Sequence, residues 1–389
     1  MPALDHILVV GASGAGLTAA DALRREGFTG RLTLVGEEPH LPYDRPPLSK
    51  QLLAGEWQPR EATLRPETEL QRLRLELRLG CRAAGLDPLA RTVTLTGGER
   101  LGYDGLVIAT GLRPRRLPFG HDLAGVHVLR TLGDALALRD QLLPGNRAVV
   151  IGAGFLGSEI AATARGLGLD VDLVDLEATP LAGQVGPQMG ELVADLHRRQ
   201  GVRLHLRRRV AELTGEQGLV TTVVLDDGTR LPAEVVVVAI GSVPATDWLA
   251  DSGIPLGDGV LCDPTCQAAP GVYAAGDVAN WPHPAAGGRV RLEQRTNATQ
   301  QAIAAARNLL AGPDGATPYA PIPFGWTDQY DTKIQIHGWA PPDARVEVVD
   351  GDPRAGRFVA RYLREGRVVG VLGWNSPRAL LRYRGQLTA

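Results

Sequence analysis

ILVVGASGAGL, at residues 7–17, and AVVIGAGFLG, at residues 148–157, are the two stretches that decide the fold of this 389-residue chain. Each is an apolar run that ends in closely spaced glycines and continues into a segment typical of a helix. A strand, turn and helix of this kind opens a βαβ unit, whose helix N-terminus binds the diphosphate of a dinucleotide. Two such units in one chain predict two dinucleotides, and the chemistry that most needs both is hydride transfer from a nicotinamide to a flavin.

The second glycine turn carries the complete three-glycine pattern. Its first glycine makes the tight turn, its second admits the diphosphate, and its third lets the helix pack against the strand. Asp175 closes the next predicted strand at about the expected distance of 20 residues, where a carboxylate accepts hydrogen bonds from the adenine ribose and repels a 2′-phosphate. We therefore expect NADH, with NADPH less favoured. The residues assigned to this nucleotide are Gly152, Gly154, Phe155, Leu156, Gly157 and Asp175.

The first glycine turn departs from that pattern. Gly11 and Gly16 are in place, but Ser13 holds the middle position and Gly14 follows it. Serine is small, and its hydroxyl can donate a hydrogen bond to a phosphate oxygen. Glu37, just after the next predicted strand, supplies the ribose acceptor. This turn is expected to hold the second dinucleotide.

Composition excludes several classes of protein. The chain is 44% hydrophobic and 22% charged with a formal net charge of −2, so nucleic acid is not an expected partner. No apolar run is long enough to cross a bilayer, and residues 1–6 lack the basic segment of a signal peptide, so we expect a cytoplasmic protein without a membrane partner. Cys81, Cys262 and Cys266 are too scattered for a disulfide framework or a metal site, and no metal is expected.

The predicted elements give an α/β fold with two Rossmann-like dinucleotide-binding domains and a C-terminal α+β domain. The second unit is inserted in the first, because the strand before Gly276 belongs with the first sheet. Helices are expected near 14–25, at about 297–310 and at about 377–384, and an apolar strand is expected at 235–240. A linker rich in Pro and Gly begins near residue 311. The predicted domains are FAD-binding at 1–112 and 241–310, NAD-binding at 113–240 and C-terminal at 311–389.

GEEPHLPYDRPPLSK, at residues 36–50, resembles the signature of the FAD-dependent, NADH-using ferredoxin reductases. These belong to the glutathione-reductase-like superfamily and serve bacterial ring-hydroxylating dioxygenases and cytochrome P450 systems. ATGLRPR at 109–115, GDVA at 276–279 and WTDQYD at 326–331 match the same family, and the similarity covers nearly the whole chain. The resemblance implies FAD as the tightly bound cofactor and NADH as the electron donor.

The resemblance also implies site residues. Arg295 stands where the family usually has a small apolar residue, so only its backbone is expected to contact FAD. Glu159 matches a carboxylate that faces the nicotinamide amide, Trp326 matches an aromatic side chain near the isoalloxazine, and these two with Lys50 are the implied catalytic residues. The residues assigned to FAD are those implied by the resemblance and those in the turns that follow buried strands. They are Ser13, Gly14, Ala15, Glu37, Arg45, Lys50, Ala83, Thr110, Gly111, Arg130, Gly241, Gly276, Asp277 and Arg295.

The electron acceptor follows from a missing thiol. Disulfide reductases of this superfamily carry a cysteine pair after the first ribose acid, and NADH oxidases carry one redox cysteine near position 50, where this chain has Lys50. Without that thiol, electrons must pass to an outside acceptor, which the resemblance implies is a [2Fe-2S] ferredoxin serving an oxygenase. The basic clusters at residues 113–116 and 378–384 could steer an acidic partner.

Two other functions remain open on the sequence alone. One is a thiol-independent NADH oxidase or quinone reductase, and the other is a redox-sensing interaction protein similar to apoptosis-inducing factor. We expect a monomer or weak dimer.

Overall fold

The computed structural model describes residues 4–387, so the outermost residues of the predicted first and last domains, and half of the stretch compared with a signal peptide, lie outside it. The apolar run before the first glycine turn forms the centre of a six-stranded sheet. Neighbouring strands pair in parallel except at one edge, where the outermost strand is antiparallel. In spatial order the strands are Gln267–Ala269, Val272–Ala274, Gly105–Ile108, His6–Val10, Arg31–Gly36 and Glu76–Leu79.

The apolar run before the second glycine turn is the central strand of a five-stranded sheet that is parallel throughout. Its three central strands are almost wholly buried, as expected for a parallel sheet covered on both faces. In spatial order the strands are Arg203–Leu206, Asp170–Asp175, Arg147–Ile151, Val235–Val238 and Val126–His127.

The helices cover these sheets with small side chains. The first and sixth helices lay alanines against one face of the six-stranded sheet, where they pack with Val9 and Leu34. The third and fourth helices cover the five-stranded sheet in the same way. The helices are α1 (Gly14–Arg25), α2 (Glu67–Arg72), α3 (Leu132–Arg139), α4 (Phe155–Gly166), α5 (Ala182–Arg199), α6 (Arg295–Ala311) and α7 (Pro377–Arg384).

The C-terminal part is a five-stranded antiparallel sheet followed by α7. Helix α5 packs its apolar side on this sheet, with Val185 and Met189 in one core with Phe358 and Tyr362. The Tyr362 hydroxyl donates to the carbonyl of Val185 at 2.6 Å. In spatial order the strands are Phe324–Gln329, Thr332–Gly338, Arg367–Trp374, Arg357–Arg364 and Arg345–Asp352.

Smaller antiparallel elements complete the fold. A two-stranded ribbon pairs the two segments in which the chain passes between the six-stranded and the five-stranded sheets. A four-stranded sheet is antiparallel except for one parallel pair of strands. The strands are Ala83–Asp87, Thr92–Leu95 and Arg100–Gly102; Val210–Glu216, Leu219–Leu225 and Arg230–Pro232; Leu256–Gly257, Gly259–Leu261, Ala279–His283 and Gly288–Val290; and Leu112–Pro114 with Ser242–Pro244.

The predicted α/β fold class, with two dinucleotide-type sheets and a C-terminal α+β part, is confirmed. The strand Val272–Ala274 joins the six-stranded sheet although the second sheet intervenes in sequence. The residue boundaries of the three domains stay a prediction. In the described part of the chain, none of the helices combines the length and apolar character needed to cross a membrane.

Candidate functional site

Backbone packing explains the glycines of the first turn. Gly11 has a φ of +119°, and a Cβ there would lie 2.1 Å from the carbonyl oxygen of Ala109. A Cβ on Gly16 would lie 1.7 Å from the carbonyl oxygen of Gly11. Ser13 is the N-cap of α1, but its side chain makes no capping hydrogen bond. The turn therefore presents a free hydroxyl and the first amides of a 12-residue helix, a combination that suits an anion.

The second turn repeats this construction. Gly152 has a φ of +102°, and a Cβ there would lie 2.3 Å from the Ala239 carbonyl oxygen. A Cβ on Gly157 would lie 1.8 Å from the carbonyl oxygen of Gly152. At Gly154, by contrast, the nearest atom to such a Cβ is a side-chain nitrogen of Gln184 at 4.0 Å. Space is left above the middle glycine, where a diphosphate requires it.

Each turn has an acidic residue after the neighbouring strand. Asp175 accepts hydrogen bonds from the backbone N–H of Ala153, inside the second turn, and from that of Glu177 at 2.7 Å. Glu37 is 63% exposed, and its nearest cation is Arg82 at 3.8 Å. Both carboxylates lie where a ribose could reach them, and Asp175 is the more firmly held.

An arginine and a carboxylate, both partly buried, face each other beside the first turn. Nη2 of Arg130 lies 3.4 Å from Oδ2 of Asp277, and Nε of Arg130 is buried without a hydrogen-bond partner within residues 4–387. Burial raises the pKa of the Asp277 carboxyl, although Arg130 opposes the shift, and burial lowers the pKa of Arg130. Gly111, with a φ of +67°, leaves room for this guanidinium, since a Cβ there would lie 3.1 Å from its Nη2. An unpartnered buried donor beside a helix N-terminus fits a phosphate-bearing cofactor.

A second arginine–acid pair is coupled to the first. Arg45 lies 3.0 Å from Glu38 and also donates to the carbonyl of Arg130. The Tyr43 hydroxyl donates to Glu38 at 2.6 Å and accepts from the N–H of Leu132. Burial raises the pKa of Tyr43 far above its usual range, so the phenol stays protonated. These contacts fix the loop at residues 42–47 (PYDRPP) against the start of α3.

Three distant segments meet at the carboxylate of Glu159 on α4. Nζ of Lys50 lies 2.6 Å from Oε2 of Glu159, with side chains only 13% and 8% exposed. The Ser49 hydroxyl donates to the same oxygen at 2.5 Å, and the Thr327 hydroxyl donates to Oε1 at 2.9 Å. One carboxylate thus connects the loop after strand Arg31–Gly36 and the C-terminal sheet to α4, the helix that follows the second glycine turn.

Trp326 lies on the opposite side of its strand from Thr327 and is half-buried. It stacks on Phe324 at 5.9 Å between ring centroids, and Phe324 stacks on His337 at 4.4 Å. Burial, with a contribution from Arg384 on α7, lowers the pKa of His337 to about 4. The aromatic row therefore runs from Trp326 towards the basic C-terminal helix.

The remaining residues singled out from the sequence are placed as follows. Phe155 packs on the C-terminal sheet, while Leu156 is 36% exposed. Ala15 and Ala83 are buried in the cores of the six-stranded sheet. Thr110 donates to the carbonyl of Ala245 at 2.8 Å. Gly241 and Gly276 lie in turns and have positive φ, like Gly11, Gly111 and Gly152. The side chain of Arg295 lies against Gly14.

Sequence reasoning missed the two hydroxyls on Glu159. Ser49 and Thr327 lie inside stretches that resemble the family, but neither was assigned a role. The only signal for Thr327 is its place in an alternating strand, which puts it on the buried face between Gly325 and Gln329. Their common partner lies more than 100 residues from either, so pattern alone could not pair them.

The three cysteines differ in burial. Cys262 and Cys266 are buried, and burial raises the pKa of Cys262 to about 12 and that of Cys266 still further. Cys81 is half-buried, and all three are free thiols. Residues 4–387 contain no group of His, Cys, Asp and Glu suited to a metal ion.

Two family models match the chain. Pyridine nucleotide-disulphide oxidoreductase matches residues 5–302, and Reductase C-terminal matches residues 324–389. The biphenyl dioxygenase system ferredoxin–NAD(+) reductase component of Paraburkholderia xenovorans is 39% identical, over 96% of this chain and 91% of the relative.

Two solved structures are similar over 98% of this chain. The ferredoxin reductase for the CYP199A2 system from Rhodopseudomonas palustris has a TM-score of 0.93 and 36% identity, with 93% of that chain covered. Putidaredoxin reductase, solved as a covalent complex with putidaredoxin, has a TM-score of 0.92 and 32% identity, with 92% of that chain covered.

Proposed function

The chain belongs to the pyridine nucleotide-disulphide oxidoreductase family, and we propose that it is an NADH-dependent reductase of a [2Fe-2S] ferredoxin that serves an oxygenase. The family implies FAD and a nicotinamide nucleotide as cofactors. The observation that carries the proposal is the buried pair between Lys50, in the loop that follows strand Arg31–Gly36 of the first dinucleotide-type sheet, and Glu159, on the helix of the second glycine turn, with lysine where related oxidases have a thiol.

The residues around the first turn suit FAD. The amides of Gly14 and Ala15 and the hydroxyl of Ser13 would hold its diphosphate, with Arg130 and its unpartnered Nε beside them. Asp277 would accept from a flavin-chain hydroxyl, and Glu37 from the ribose. When bound, FAD would accept a hydride from the nicotinamide and release electrons one at a time.

The second turn suits NADH. Gly154 leaves open space that a diphosphate would fill, and Asp175 would supply a carboxylate to the ribose. A 2′-phosphate there would meet like charge, which supports NADH over NADPH. Glu159 follows the same turn on α4, so its carboxylate would orient the nicotinamide amide.

Lys50, Glu159 and Trp326 position reactants in this proposal. The ammonium of Lys50 and the hydroxyls of Ser49 and Thr327 fix the Glu159 carboxylate in one orientation. Trp326, half-buried at the edge of the C-terminal sheet, would border the isoalloxazine and limit water access.

The partner proposal rests on relatives and on charge. Arg378 and Arg384 on α7 are exposed, and Arg384 lies close enough to His337 to influence its pKa. The row of aromatic rings from Trp326 therefore ends beside a basic surface, which suits brief docking of an acidic electron-transfer protein.

A charge test addresses the docking. The Arg378→Gln/Arg384→Gln variant should reduce ferredoxin several-fold more slowly below roughly 0.1 M salt, and salt should erase the difference as the screening length falls to about 10 Å. Ferricyanide reduction should be unchanged, because it needs no docking surface. Arg198→Gln, an exposed arginine of α5 paired with Asp195, is the matched control. Equal slowing by the control would place docking elsewhere.

A cofactor test addresses the first turn. Protein purified from cells should release one FAD per chain on heating. Release of FMN would contradict the assignment, because FMN has no adenosine for Glu37 to hold.

We also propose a cytoplasmic location, supported by three free thiols, a state typical of reducing compartments.

A further inference from the structure

The side chain of Arg295 fills the space that Gly14 leaves open. A Cβ on Gly14 would lie 3.3 Å from Cζ, 3.4 Å from Nε and 3.5 Å from Nη1 of this guanidinium. Arg295 is the first residue of α6, and Gly14 is the first residue of α1. The guanidinium therefore lies at the N-terminus of the helix that follows the first glycine turn.

The protein contacts of Arg295 leave one nitrogen for a ligand. Nε donates to Asp44, and Nη1 donates to the hydroxyl of Thr299 on the next turn of α6. Within residues 4–387 these hydrogen bonds do not use Nη2. The side chains of Arg295 and Asp44 are 24% and 34% exposed, so the pair is partly shielded from solvent.

The charges at this place call for an anion. The N-termini of α1 and α6 each contribute roughly half a positive charge, and Asp44 offsets the guanidinium, which leaves a net charge of about +1. No acid beyond Asp44 is paired with Arg295 in the described chain. A diphosphate, with one negative charge on each tetrahedral phosphate group, matches a helix N-terminus with a guanidinium beside it, because its oxygens accept from the backbone amides and from the guanidinium nitrogens.

We propose that the guanidinium of Arg295 binds the diphosphate of the flavin dinucleotide. This inference rests on the proposed function and goes beyond the backbone contact expected at this position. In this proposal Ser13, Gly14 and Arg295 act together. The absence of a side chain at Gly14 leaves room for the arginine to reach the phosphates, and the Ser13 hydroxyl provides a further hydrogen-bond donor. Arg295 is a binding residue for the cofactor and takes no part in hydride transfer.

The test measures flavin affinity of the full-length holoenzyme. Serial dilution releases FAD, and the rise in flavin fluorescence gives Kd without any assay of turnover. Arg295→Met keeps much of the side-chain volume and removes the charge, so it should raise Kd about tenfold or more, equivalent to at least ~1.4 kcal/mol. Arg295→Lys should lose less. The Kd of the parent should rise with NaCl, and that of Arg295→Met should rise less steeply.

Two further variants separate charge at this place from other causes. Arg307→Met removes an exposed arginine of the same helix, paired with Glu26 at 2.7 Å, and should leave Kd within about twofold. Gly14→Ala keeps Arg295 but presses a methyl group on the guanidinium, and should also weaken binding.

The outcomes decide between the roles. An Arg295→Met Kd within twofold of the parent, or equal losses in Arg295→Met and Asp44→Asn with unchanged salt dependence, would overturn the phosphate contact and leave only an ion pair between loop and helix. A parent protein that carries no FAD would overturn the proposed function itself.

Discussion

Replacing Lys50 by methionine should leave a carboxylate buried without its cation. Glu159 is 8% exposed, and its carboxylate lies 2.6 Å from the Lys50 ammonium. Removing one partner of a buried ion pair typically costs about 3–5 kcal/mol, because the remaining charge cannot be solvated. The hydroxyls of Ser49 and Thr327 still donate to the Glu159 carboxylate in the variant, and each should lower the cost of the unpaired charge by about 1 kcal/mol. We therefore expect Lys50→Met to lower the free energy of unfolding by about 2 kcal/mol.

The reverse change should cost less. In Glu159→Gln the amide oxygen still accepts from a hydroxyl, and the flexible stem of Lys50, already 13% exposed, can carry its ammonium towards water. A loss of about 1 kcal/mol is expected. The double variant should be more stable than the sum of the single losses implies, with a coupling of about 1–2 kcal/mol.

Urea unfolding of the holoenzyme in saturating FAD, followed by far-UV circular dichroism, measures these differences. Lys333→Met is the matched control, since it removes the chain's other lysine from a surface pair with Asp328 at 2.8 Å. It should cost less than about 0.5 kcal/mol. A Lys50→Met loss no larger than that of the control, or no coupling in the double variant, would refute the reasoning.

Three further predictions concern thiols, nucleotide choice and pH. A variant with alanine in place of Cys81, Cys262 and Cys266 should show flavin reduction by NADH at a rate within a few-fold of the parent rate, as measured by stopped flow. Asp175→Asn should narrow the preference for NADH over NADPH in kcat/KM, because like-charge repulsion of the 2′-phosphate is worth roughly 1–3 kcal/mol. The pKa values of His197 and His337 are lowered to about 4 by burial, so both are neutral in the fold. The unfolded chain binds those protons below about pH 6.5, so stability should fall by about 1.4 kcal/mol per pH unit for each histidine as pH drops from 6.5 towards 5. His337→Gln should make the dependence of the free energy of unfolding on pH, measured by urea unfolding, shallower by up to ~1.4 kcal/mol per pH unit.

Each of these can fail clearly. Loss of flavin reduction in a folded triple-alanine variant would contradict a thiol-independent mechanism. A parent that prefers NADPH would show that the ribose contact of Asp175 is misplaced. A pH slope unchanged by His337→Gln would show that this histidine is not buried in its neutral form.

Local pattern predicted most of the fold because backbone packing imposes it. The turns require glycine where a Cβ would collide with a carbonyl of the turn itself or of the chain that leaves a neighbouring strand, and the spacing of those glycines can be recognised in the sequence. The bounds predicted for α1 and α7 match the structure. The strand predicted to run to residue 240 ends at Val238, because the chain then bends to pack against Gly152.

Contacts between segments were not predictable in the same way. Helix α6 begins two residues earlier than expected, at Arg295, and the guanidinium of this first residue lies against Gly14. The bond from Thr327 to Glu159 depends on how the C-terminal sheet lies against α4, which no local pattern encodes. Such contacts arise from tertiary packing, and they carry the two most specific features of the site.

The central claim is that electrons from NADH leave this protein through a ferredoxin. The direct measurement is NADH-driven reduction of cytochrome c at low salt, with and without the [2Fe-2S] ferredoxin encoded nearest to this gene, compared with NADH oxidation by oxygen alone. The account predicts a rate that rises with ferredoxin concentration, saturates, and far exceeds the oxygen rate. A rate no faster with ferredoxin than with oxygen alone would contradict it and would favour an NADH oxidase.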